Sequence, residues 1–159
     1  MSQRIDPIKS LLTSGRGMKL GMNLWPPFLF SGIRILEFAP DFRYVKVKLK
    51  KGRLTSNYVG TLFGGALFSM TDPFFMIMAM KNLGPNYIVW DKRGEIEFVS
   101  LGKEAVYGEF KISDEDLTDI KNNVSKDGKY LKWFEVEIKT AEGTLVAIIK
   151  KQIYFRAKK

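Results

Sequence analysis

The chain has 159 residues, 45% hydrophobic and 27% charged. That is enough for one domain with a substantial core, too short for two ordinary domains plus a linker, and too apolar for intrinsic disorder. It contains neither cysteine nor histidine, which excludes thiol nucleophiles, disulfides, thiolate zinc sites, Ser-His-Asp and Cys-His arrangements and any imidazole base. Catalysis, if any, has to run on carboxylates, hydroxyls, amines and backbone dipoles. The 26 Lys and Arg against 17 Asp and Glu give a net charge of +9, which favours an anionic partner: a phosphate-bearing small molecule, an acidic membrane surface or nucleic acid.

In chain order, residues 5–14 place Asp6 and Pro7 at a helix start with Ile8, Leu11 and Leu12 on one face, and Gly15 and Gly17 end the pattern. With Arg4, Asp6 and Lys9 near the start there is no secretory pattern, and a cytoplasmic protein is expected. The stretch 24–30, with Pro26 and Pro27, reads as an aromatic-rich extended arm. Residues 33–49 alternate like two antiparallel strands broken at Ala39-Pro40-Asp41. The segment 62–83 is apolar nearly all round, so a helix there must be enclosed by protein, with Met70, Met76, Met78 and Met80 as core filler. Residues 61–80 have the length of a membrane span, but Asp72 at the centre costs about 2.5 to 3.5 kcal/mol on insertion, so no span is expected.

Strands then resume over 87–90 and 95–99, as one or two, and over 105–112. A charged helix over about 114–122 follows, capped by Ser113 alone because Glu115 falls too early to close a capping box. Two long strands joined at Glu142-Gly143 close the chain. The basic clusters 46–53 and 150–159 alternate charged with apolar residues, as solvated strand faces do, so no nucleic-acid partner is expected. The order implies an α+β domain over 1–159, with 1–30 as an N-terminal helix and arm, in which an antiparallel sheet wraps one central helix.

The run Asn57-Tyr58-Val59-Gly60-Thr61-Leu62-Phe63-Gly64-Gly65, with Asp72 beyond it, carries the chemistry. Gly64 and Gly65 allow close backbone approach near a helix start, whose unpaired N–H groups suit a carbonyl or oxyanion. Asp72 in apolar surroundings is a plausible base, its pKa raised by burial. Each residue also has a plainer reading. Asp72-Pro73 looks like the N-cap and N1 of a helix starting at 73, the glycines permit helix packing, and Asn57 serves a turn.

The pattern N-x-x-G-T-x-H-G-G, with Asp seven residues after the last Gly, resembles that of hotdog-fold acyl-CoA thioesterases of the phenylacetyl-CoA thioesterase type. Asn57, Gly60, Thr61, Gly64, Gly65 and Asp72 fall in register. The later stretches YIVWDKRGEIEFVSLGKEAVYGEF and LVAIIKKQIYF resemble a bacterial thioesterase-like hotdog subgroup. The resemblance implies a helix over 62–82 bent at Pro73 and a homodimer or dimer-of-dimers tetramer with the thioester at the interface. It implies hydrolysis of a CoA or acyl-carrier thioester, the CoA ester being the substrate and no cofactor or metal being needed. The N–H of Gly64 or Gly65 would polarise the carbonyl, Asp72 of the facing subunit would activate water or attack directly, and Asn57 would help to place the water. Gly60, Thr61 and Phe63 would border the substrate. The family's His is Phe63 here, which removes a hydrogen-bond donor and makes a non-catalytic acyl-CoA or lipid-binding protein the alternative. The family also has a hydroxyl residue on the strand after the helix, which falls near Trp90 or Asp91 and is left unassigned.

Overall fold

A computed structural model describes residues 14–158. Six strands form one antiparallel sheet in the order β1-β2-β4-β5-β6-β3: β1 (Ile33–Phe38), β2 (Tyr44–Leu49), β3 (Tyr87–Phe98), β4 (Val106–Lys111), β5 (Lys129–Thr140) and β6 (Leu145–Ala157). Their alternation fixes one face as the core face: Val45, Val47 and Leu49 on β2, Val106 and Phe110 on β4, and Ile149, Ile153 and Phe155 on β6 are all fully buried. The two stretches 87–90 and 95–99 are one strand, β3, whose register against β6 shifts between Asp91 and Arg93.

The helical segments are α1 (Gly15–Leu24), α2 (Pro26–Phe30), α3 (Gly64–Ser69), α4 (Phe74–Leu83) and α5 (Asp114–Asp127). Helix α4 lies on the core face and packs on β3, β4 and β6. Phe74 and Phe75 link it through ring contacts to Phe28 of α2, Phe110 of β4 and Phe134 of β5. This is the expected α+β arrangement of an antiparallel sheet around a central helical element, the hotdog architecture.

The expected helix over 62–82 bent at Pro73 is interrupted there more fully than a bend: it is two helices separated by residues 70–73. Pro73 has no N–H to extend the helical ladder, and the turn before it is closed by Thr71 N–H on Phe68 O and Asp72 N–H on Ser69 O. Pro73 itself is the N-cap of α4, so Asp72 does not cap that helix either. Met70 and Met78 are fully buried and Met76 packs partly against the core, but Met80 is exposed.

Three other expectations need adjustment. The helix foreseen over 5–14 lies, but for Ser14, outside the described residues, and a helix begins where Gly15 and Gly17 were expected to end one. Its start is capped by Ser14 Oγ, which accepts from Gly17 N–H at 3.1 Å. Bare Gly15 lets the helix backbone press on β1: a Cβ there would sit 2.6 Å from Phe38 O and 2.7 Å from Ala39 O. The arm 24–30 is not extended but contains the short helix α2, whose first residues are the two prolines, tolerated where N–H groups have no helical partner. Helix α5 runs to Asp127, and its capping box is complete, because Asp116 Oδ2 accepts from Ser113 N–H at 3.0 Å while Ser113 Oγ accepts from Asp116 N–H at 3.1 Å. The shorter acid does what a glutamate was expected to do.

Two substitutions test these local accounts. Ser113→Ala is expected to cost about 1 kcal/mol in urea unfolding through loss of the cap. Gly15→Ala is expected to cost about 1 to 3 kcal/mol, as overpacking against backbone oxygens that cannot move aside; an unchanged midpoint would refute the close-approach account.

Candidate functional site

The segment before α3 is a chain of closed turns. Buried Thr55 accepts from Gly52 N–H through Oγ1 at 2.8 Å and donates to Lys50 O at 2.7 Å. Asn57 and Thr61 bind one another three times: Asn57 N–H donates to Thr61 O at 2.8 Å, Thr61 N–H to Asn57 Oδ1 at 3.0 Å, and Asn57 Nδ2 to Thr61 Oγ1 at 2.9 Å. Gly60 closes the turn at φ +80°, a backbone region that disfavours side chains. Leu62 N–H then reaches Gly102 O and Phe63 N–H reaches Thr55 O, which fixes the direction in which α3 starts.

At that start Phe63 O accepts from Ala66 and Leu67, while the N–H groups of Gly64 and Gly65 face no acceptor among the described residues. Asn57, Thr61, Gly64, Leu67, Phe98 and Leu101 border a cavity of about 260 Å³. Both glycines lie under aromatic rings. A Cβ on Gly64 would meet the Phe98 ring at 2.8 Å, and one on Gly65 would overlap the Phe63 ring. Phe63 is itself 56% exposed.

Asp72 is not in the apolar setting expected of it. Its side chain is 51% exposed, and Oδ1 accepts from Lys151 Nζ at 2.7 Å. Lys151 is the unusual residue: it occupies the core face of β6 between Ile149 and Ile153, and its side chain is only 5% exposed. In the sheet it stands between Phe134 of β5 and Gly94 of β3. Gly94 leaves room for the Phe68 ring, which a Cβ would approach to 2.5 Å, and the ammonium lies 5.4 Å from that ring's centre. A second carboxylate, Asp91 on β3, places Oδ2 3.4 Å from the same ammonium, and its Oδ1 is buried with no hydrogen-bond partner among the described residues. Burial pushes the Asp91 carboxyl up to about 6, against the pull of Lys151 and with a push from Asp72.

The structure thus gathers Asn57, Thr61 and Gly64 at one cavity, uses Gly60 to shape its turn and lays Phe63 over Gly65. Asp72 does not border that cavity; it belongs to the ion-pair cluster with Lys151 and Asp91. Sequence reasoning missed both partners. The signal for Lys151 was present, since strict alternation puts it on the face of Ile149, Ile153 and Phe155, and for Asp91 the same count aligns it with buried Val89. Among the described residues no group of three or more His, Cys, Asp or Glu comes together as a metal site, and no described helix is long and apolar enough to cross a membrane.

Several solved structures share this fold. PA5026 from Pseudomonas aeruginosa, a protein of unknown function described as a probable thioesterase, superimposes with TM-score 0.76 at 17% identity over 88% of this chain and 93% of its own. Thioesterase HI1161 from Haemophilus influenzae gives TM-score 0.66 at 11% identity over 91% of each chain. The E. coli PaaI protein from the phenylacetic acid degradation operon gives 0.61 at 16% identity over 87% and 89%. At such identities the likeness establishes the hotdog fold. No curated protein matches the chain. A family model covers nearly the whole of the described fold, residues 16–155, and by that match the chain belongs to the family described as Domain of unknown function (DUF4442).

Proposed function

We propose that the protein is an acyl-CoA or acyl-carrier thioesterase that hydrolyses a thioester to a free acid and a thiol. The observation that carries this reading is the glycine pair at the head of α3, whose N–H groups lack acceptors among the described residues beside a cavity bordered by Gly64 itself. A thioester carbonyl oxygen set against either amide would be polarised, and the negative charge that develops there in the transition state would be stabilised. Asp72 takes a proton from water as the new C–O bond forms at the carbonyl carbon; the C–S bond then breaks and the thiolate leaves, protonated by Asp72 or solvent. In the alternative of direct attack, the Asp72 carboxylate bonds to the carbonyl carbon as the C–S bond breaks and the thiolate leaves, and water then opens the mixed anhydride to the free acid and the restored carboxyl.

In one chain Asp72 does not border the cavity, so the reading asks a second copy to bring its acid to the glycine turn. Two features support a homodimer or dimer of dimers. Strand β3 is twelve residues long and its outer edge has no partner strand among the described residues. Around the turn, Tyr58, Val59, Phe63, Phe98, Val99 and Leu101 are exposed apolar residues. Asn57, whose side chain is spent on Thr61, acts in this reading by holding the turn rather than by placing water. The excess of Lys and Arg would meet the phosphates of CoA, and the site of action is the cytoplasm.

A second reading, a non-catalytic acyl-CoA or lipid-binding protein, is favoured by the Phe63 ring lying over Gly65. A panel of acyl-CoAs with thiol release as readout separates the two. Turnover that falls about 100-fold or more in Asp72→Asn, and rises in Phe63→His, is the expected result; CoA-ester binding with no turnover in either chain would establish the second reading. In light scattering the active protein is expected at two or four times the chain mass, and full turnover by a monomer would refute the shared site.

A further inference from the structure

The core face of β6 carries a lysine where every neighbour on that face is apolar, and nothing in the proposed reaction so far uses it. An ammonium so buried persists only when it is paired. Two carboxylates supply the pairing from different parts of the chain: Asp72 from the break between α3 and α4, and Asp91 from the bulged part of β3. The uncharged neighbours make room for it: Gly94 has no side chain, Phe68 offers its ring face, and Phe134 flanks it on β5. Among the described residues no other charged side chain lies within ion-pair distance of the three groups.

We propose that Lys151 is the positioning residue of this site: its ammonium holds Asp72 by Oδ1, and couples that carboxylate to the protonation of Asp91. The proposal rests on the reading of Asp72 as the base. The charges require such a coupling. One ammonium and two carboxylates sum to one negative charge in a half-buried place, and binding one proton neutralises it. Asp91 is the better holder of that proton. Its Oδ1 is buried without a donor among the described residues, whereas Asp72 has the short bond to Lys151 and is open to solvent. With the proton on Asp91, Lys151 serves Asp72 alone; when it leaves, the ammonium is shared between the two carboxylates and holds Asp72 less tightly. Turnover therefore rises as Asp91 ionises, the direction that burial sets near pH 6.

The test uses the full chain and two readouts. The first, carboxyl carbon NMR of Asp91 as pH is varied, needs no substrate. Asp91 should titrate near 6 in the wild type, higher by a unit or more in Lys151→Met, and near the wild-type value again in Lys151→Arg. Circular dichroism reports folding, and Lys151→Arg, which keeps the charge, carries the test if Lys151→Met unfolds. The second is the pH profile of thioester hydrolysis. Its acid limb should follow the Asp91 titration in the wild type and in the Lys151 variants and disappear in Asp91→Asn, whose neutral amide holds turnover at the level of protonated Asp91, with kcat in Lys151→Met down tenfold or more and KM within twofold. An Asp91 titration near 4, or one indifferent to Lys151→Met, overturns the coupling whatever the activity. Intact coupling in a chain that hydrolyses no thioester overturns instead the catalytic reading of Asp72, and with it the positioning role.

Discussion

A charged group inside a sheet's core face is the constraint around which this site is arranged. Lys151 cannot leave that face without a one-residue slip that would expose Ile149, Ile153 and Phe155, all fully buried. The rest of the chain accommodates it instead: the bulge of β3 sets Asp91 beside it, the Pro73 break brings Asp72 over it, and Gly94 leaves its stem room beside Phe68. The arrangement has a cost in stability with a definite sign. Asp91 titrates near 6 in the fold against 3.8 ordinarily, so between those values the native state holds a proton that the unfolded state has released. The contribution of this carboxyl to stability is present at low pH and is lost as pH rises through about 6. A group kept under such conditions is more easily understood by what it does than by what it holds together.

The glycine turn is governed by a different economy. Asn57 and Thr61 satisfy one another, Thr55 ties Lys50 to Gly52, and backbone bonds fix Phe63 to Thr55 and Leu62 to Gly102, so the head of α3 is set by polar contacts within residues 50–63 and one from Gly102. Such a loop fixes the direction of its backbone amides by internal bonds, the preorganisation that the proposed thioester role calls for. Aromatic rings cover both glycines, Phe98 from β3 and Phe63 from the loop itself. A Cβ at either glycine would meet one of these rings, which would have to move aside.

Much of the fold was legible because its patterns are local. The alternation in 33–49 and 129–155 put the right residues on the core face, and the apolar segment around α4 had to be enclosed by a sheet. The glycine turn was legible too, from the spacing of Asn57, Gly60, Gly64 and Gly65. Illegible were the features in which a residue's meaning depends on a distant partner. Gly15 reads as a helix stop until the carbonyls of Phe38 and Ala39 are seen against it. The capping box of α5 escaped because an aspartate, one atom group shorter than the usual acid, reaches Ser113.

The sequence by itself determined the strands, their faces, the absence of thiol and imidazole chemistry and the place of the glycine pair, since each follows from residue type and from periods of two or a few positions. Only the tertiary structure decided which carboxylate is buried and what neutralises the inward lysine. Asp72, Asp91 and Lys151 are separated by 19 and 60 positions along the chain and meet only because the sheet sets β3 beside β6 and the helix breaks above them. A pKa depends on what surrounds a group in space, and no local pattern records that.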